Sequence, residues 1–149
     1  DVPMPRFLVF AGMVGALIAG HWWLDPERVY QRGHELLSRQ GWVAAGATFD
    51  DARAGRIGPA RQAESLFWAA RSYDLGADKV KARVRYVELK SAFPESYWAP
   101  ESLFRLVEID LAGHDRDSAE AFFAELRSGY PDHRWTNDAR RLLAESPAR

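Results

Sequence analysis

An interval of 37 residues recurs through this chain and limits what it can fold into more than any other feature. The block Pro26-Glu27-Arg28-Val29-Tyr30 returns as Ala63-Glu64-Ser65-Leu66-Phe67 and again as Pro100-Glu101-Ser102-Leu103-Phe104. The same step carries Ala45 to Ala82 to Ala119, Phe49 to Tyr86 to Phe123, and Arg56-Ile57 to Phe93-Pro94 to Tyr130-Pro131. Independent positions that keep one spacing mark a series of similar supersecondary units, each too small to bury its apolar face without a neighbour. Of the 149 residues, 47% are hydrophobic and 13% aromatic, enough apolar surface to give such a stack a continuous interior.

Each unit reads as two helices and a turn. In the first, Val29, Tyr30, Gly33, Leu36 and Leu37 keep helical spacing, and Gly41 ends the run. A second helix from Trp42 to Ala54 buries Ala45, Phe49 and Ala52, and Gly55, Gly58 and Pro59 then break the chain. The second unit places Leu66, Phe67, Ala70, Tyr73 and Leu75 on its first helix and Val80, Ala82, Val84, Tyr86 and Leu89 on its second. Between them Gly76-Ala77-Asp78 supplies a left-handed stop followed by a capping carboxylate. The third unit uses Leu103, Leu106, Val107 and Leu111, then Gly113-His114-Asp115, then Ala119, Phe122, Phe123 and Leu126. A last helix from Thr136 to Glu145 sets Arg140 and Arg141 against Leu142 and Leu143, the two-faced pattern with which a stack meets water. The expectation is an all-α chain in which residues 25–149 form three 37-residue helix pairs and a C-terminal cap helix.

Residues 1–24 read differently. From Phe7 to Leu24 no side chain carries a formal charge except His21 when protonated, and 18 residues rising about 1.5 Å each span roughly 27 Å, the short end of what crosses a bilayer. Trp22 and Trp23 follow where an aromatic belt belongs. A cleaved secretory leader is the competing reading, but Leu17 stands where cleavage ahead of Ala19 wants a small residue. The run is therefore read as a membrane anchor. Gly12, Ala16 and Gly20 fall four apart on one ridge with Gly15 and Ala19 beside them, so a neighbouring membrane helix can approach closely there.

Little in the chain suggests chemistry. The four His at positions 21, 34, 114 and 133 lack further donors at metal spacing, and no metal or cofactor is expected. The pairs Asp50-Asp51 and Asp115 with Asp117 sit where helix ends call for carboxylates, and no phosphate cradle or nucleophile motif is present, so no catalytic residue is assigned. A net charge of −1 disfavours nucleic acid as a partner. Lys79, Lys81, Arg83, Arg85 and Lys90 share one helix, while the third unit holds Glu108, Asp110, Asp115, Asp117, Glu120 and Glu125. Such patches dock charged partners or form a solvated face, and Lys79 and Arg83 are the candidate contacts. Trp98 and Trp135 occupy equivalent places in successive linkers, where they staple the linker to the stack or meet a partner.

The residues resemble the tetratricopeptide repeat: Gly33 or Ala70 midway through a first helix, Ala45, Ala82 and Ala119 early in the second, Phe49, Tyr86 and Phe123 four later, then Pro94 and Pro131. The period exceeds the usual one of about 34 residues, the excess falling in the linkers. A longer linker with an aromatic-Pro-acidic start is similar to the bacterial envelope variant found in an outer-membrane-assembly lipoprotein and the Tol-Pal partner. Ile18-Ala19-Gly20 is followed by His21, however, where those lipoproteins carry the lipid-bearing Cys. The resemblance implies a right-handed helical-hairpin solenoid. It also implies a bacterial inner-membrane, single-pass protein with a periplasmic domain, although Arg28, Arg32 and Arg39 after the run argue for the cytoplasm by the positive-inside rule. The expected role is a non-catalytic scaffold, an accessory subunit of a large membrane complex, photosynthetic or respiratory, whose partners are integral-membrane and membrane-associated subunits and the bilayer. The alternative is an envelope assembly factor or peptide-binding adaptor.

Overall fold

Seven α-helices and no strand make up residues 25–55 and 57–146, the parts that the computed structural model describes. They are α1 (Pro26–Ser38), α2 (Trp42–Ala54), α3 (Pro59–Leu75), α4 (Lys79–Ala92), α5 (Ala99–Ala112), α6 (Arg116–Gly129) and α7 (Arg134–Glu145). Each packs on its neighbour in sequence, and α7 also on α5, which makes a file of helical hairpins. The apolar run with Gly12, Gly15, Ala16, Ala19 and Gly20 lies outside the described residues, and among those residues no helix is long and apolar enough to cross a membrane.

The helices begin where the sequence offers an acceptor or a proline. Asp25, Asp78 and Asp115 accept the backbone N–H of Glu27, Lys81 and Ser118, each at 3.1 Å, at the starts of α1, α4 and α6. Proline occupies the first turn of α1, α3 and α5, where its missing N–H would have had no partner in the helix.

The turn inside each unit is one motif used three times. Gly41 N–H donates to Leu36 O at 2.9 Å, Asp78 to Tyr73 O at 2.9 Å and Asp115 to Asp110 O at 2.8 Å, the longer bond of a Schellman cap. The residue just before takes the left-handed conformation, with φ of 60° at Gln40, 63° at Ala77 and 62° at His114. None of the three is glycine. Gly76 and Gly113, which sequence reading associates with the stop, sit one place earlier at φ −79° and −80°.

Ala45, Ala82 and Ala119 are fully buried, as are Phe49 and Tyr86, while Phe123 is only half-buried. The interior consists of two clusters that meet at α5. Ala99 and Leu106 close the first, which runs back through Tyr86, Tyr73, Phe67 and Phe49 to Tyr30, and Leu103, Phe104 and Val107 open the second, completed by Ala119, Leu126, Ala139 and Leu143. Phe122 and Tyr130 pack against both.

Three residues assigned to the apolar positions of the second unit face solvent: Leu75 is 48%, Val84 52% and Val80 76% exposed. The alternation Val80, Ala82, Val84, Tyr86 has period two, which turns a helix by about 200° per step and cannot keep one face. Ala82, Tyr86 and Leu89, at i, i+4 and i+7, make the inward stripe instead.

Close packing in the first unit depends on absent side chains. A methyl on Gly33 would lie 2.7 Å from the Phe49 ring, and one on Gly46 would lie 2.8 Å from Tyr73. The positions equivalent to Gly33 are Ala70 and Val107, so the side chain at this place grows from unit to unit.

Candidate interaction surface

The linkers between units are closed by a ring or a cation laid over the aromatic residue of the preceding first helix. Trp98, just before α5, stacks on Phe67 at 4.3 Å between centroids, and Trp135 in α7 stacks on Phe104 at 4.7 Å. The equivalent position in the first joint is Arg61, whose guanidinium lies 4.3 Å from the Tyr30 ring centre. Arg61 also bonds Glu64 at 2.7 Å and reaches Glu27 at 3.3 Å. Both indoles are thus half-buried staples. Sequence reading missed Arg61, although its 37-residue step to Trp98 and Trp135 was there to be followed.

From these staples a chain of edge-to-face contacts runs along the first helices. His34 meets Tyr30 at 4.7 Å, Phe49 at 5.0 Å and Trp68 at 5.2 Å, Trp68 meets Trp98 at 6.0 Å, and Trp98 meets Tyr97 at 5.0 Å. Tyr97, at the end, is 81% exposed. Edge-to-face pairs of this kind add ~0.5–1.5 kcal/mol beyond burial, so the rings hold one another in place. Burial lowers the pKa of His34, opposed by Glu64 and assisted by Arg61. Burial, then Glu64, pushes the Tyr30 phenol well above its ordinary value. His34 enters as a packing element and a titratable group at the first joint, a role that its isolated position in the sequence did not disclose.

The basic run on α4 is engaged within the chain. Arg83 makes a two-pronged pair with Asp110 at 2.7 and 3.1 Å, and Arg85 another with Asp50 at 2.7 and 3.0 Å. Asp50 also accepts the Tyr73 hydroxyl at 3.0 Å, and burial together with that bond pushes the Tyr73 pKa up to about 12. Lys79 pairs with Asp74, Lys81 with Asp78 at 3.3 Å and Lys90 with Glu125 at 2.7 Å, while Arg53 reaches Glu88 at 2.7 Å. Arg83, Arg85 and Lys90 of this run therefore knit consecutive units together, while Lys79 and Lys81 pair within their own unit. Asp50 is a cross-unit acceptor and not a cap, whereas Asp115 caps α6.

Three partner candidates, Trp98, Trp135 and Arg83, are engaged at joints, and Lys79 pairs with Asp74. Among the described residues, Tyr97 is the aromatic side chain that the joints leave open to solvent. Among the described residues no group of three or more His, Asp or Glu is placed to hold a metal ion. His114 is exposed in its turn, and His133 accepts the Trp135 N–H at 3.3 Å. No protein-family model, curated protein or solved structure matches this chain.

Proposed function

We propose that this chain is a non-catalytic scaffold of tetratricopeptide-like hairpins, held at a bacterial inner membrane by residues 1–24, that braces other subunits of a membrane complex. The observation that carries this reading is the closure of every joint by the chain's own residues: Arg61 on Tyr30, Trp98 on Phe67 and Trp135 on Phe104. A peptide-capturing adaptor keeps the inner side chains of its repeats open to a client. Here Arg61, Trp98 and Trp135 cover the aromatic residues of the first helices, which favours a stiff, preorganised surface over a receptive groove. An anchor raises the effective concentration of that surface toward membrane subunits, so modest contacts suffice. The small-residue ridge of Gly12, Ala16 and Gly20, flanked by Gly15 and Ala19, would pack against a partner's membrane helix.

Affinity purification of the full chain in a gentle detergent tests the reading. Integral-membrane subunits recovered in fixed stoichiometry, and lost on Ala16→Leu with the melting curve of the repeats unchanged, are the expected result. Recovery of a monomer without such subunits would remove the brace, and release of bound extended peptides on denaturation would favour the adaptor.

A further inference from the structure

Alternating helices give the stack two edges of different chemistry. One edge carries the three short turns at Gln40, Ala77 and His114. The other carries the linkers, at residues 55, 57–58, 93–98 and 130–133, together with the first residues of α1. Pro26 belongs to this second edge by direct contact, because a methyl on Gly55 would collide with its ring. Arg61 bonds Glu27 across the same edge, and the Tyr130 hydroxyl donates to Pro94 O from one linker to the next.

The apolar run ends at Leu24 and α1 is capped by Asp25, so the run joins the domain at the linker edge. With 13 residues in α1, the turn edge stands about 20 Å away. Side chains on the linker edge suit a lipid interface. Tyr97 is 81% exposed and steadied by Trp98, and the exposed Pro59, Pro94 and Pro131 accompany it. Tyrosine is among the residues that settle at headgroup level, having an apolar ring and a polar tip. Glu95 and Asp132 are exposed on this edge too, which favours a zwitterionic surface over an anionic one.

We propose that the linker edge, led by Tyr97, lies against the bilayer and that the turn edge, where Val43, Leu75 and Val80 are exposed, points away from it. This orientation rests on the anchored reading above. The chain has no cysteine, so one introduced thiol carries one label. Full-length Glu95→Cys, Asp132→Cys, Ala77→Cys and His114→Cys, each labelled with a fluorophore, would be reconstituted into phosphatidylcholine vesicles containing a headgroup-nitroxide lipid. Quenching several-fold stronger at positions 95 and 132 than at 77 and 114 is expected. Equal or inverted quenching in protein that floats with the vesicles overturns the orientation alone. Failure to float with the vesicles overturns the anchor, and the orientation with it.

Discussion

Arg61 lies over Tyr30 where Trp98 lies over Phe67 and Trp135 over Phe104, and the three joints so closed differ in what holds them. In the later two an indole covers a benzyl ring, and in the third the guanidinium groups of Arg134 and Arg105 also lie 4.1 and 5.6 Å from the Trp135 ring centre. In the first, the cover is a cation fastened to Glu27 and Glu64, beside a half-buried imidazole. The repeat conserves the placement of a cover within the chain while leaving its chemistry free. Dispersion and burial respond little to salt or pH, whereas exposed ion pairs and imidazoles respond to both. The first joint is thereby made more sensitive to its medium than the second, which Trp98 closes.

The largest effect that would sharpen this contrast is Trp98→Ala, which should cost about 3 kcal/mol in denaturant unfolding, the lower end for a lost indole because the ring is half-buried. A loss no greater than that of Arg61→Ala would erase the distinction between the joints. Gly33→Ala should cost ~1–3 kcal/mol by overpacking, since the added methyl displaces Phe49 and with it the rings of Tyr30 and His34. Thermal melts that superimpose on those of the parent would show that the first unit has slack there.

Arg61→Ala should cost ~0.5–1 kcal/mol, and its cost should shrink as salt is raised, because the guanidinium is more than a third exposed. Trp98→Ala should show no such dependence, and parallel salt curves for the two variants would break the comparison. The smallest effect concerns His34. Burial holds its folded pKa below the unfolded value near 6.5, so between the two the unfolded chain binds more protons. Stability is therefore full above about pH 6.5 and declines as pH falls toward the folded pKa. His34→Gln should flatten the melting temperature over that window, and an unchanged slope would assign the decline elsewhere.

Much of the stack was legible from the interval alone. The bounds of α2 and the burial of Ala45, Ala82, Ala119, Phe49 and Tyr86 follow from repeated positions, because burial recurs with the period when each unit packs on a copy of itself. The destinations of the charges were hidden. Asp50 and Arg85 are 35 residues apart, and Arg83 and Asp110 are 27 apart, separations at which no local rule pairs side chains. The staple at Arg61 was masked by a change of residue class at a constant position. The left-handed residues were masked because Gln40, Ala77 and His114 carry none of the usual signature of glycine.

The bonds that tie one unit to the next span 23 to 36 residues, each reaching only an adjacent hairpin. Cooperativity in such a molecule is passed hand to hand, and the middle hairpin, gripped from both sides, is the last to open. Amide exchange should accordingly be slowest in α3 and α4 and quicken toward α1 and α7, so that either tip can loosen to accommodate a neighbour while the centre keeps its shape.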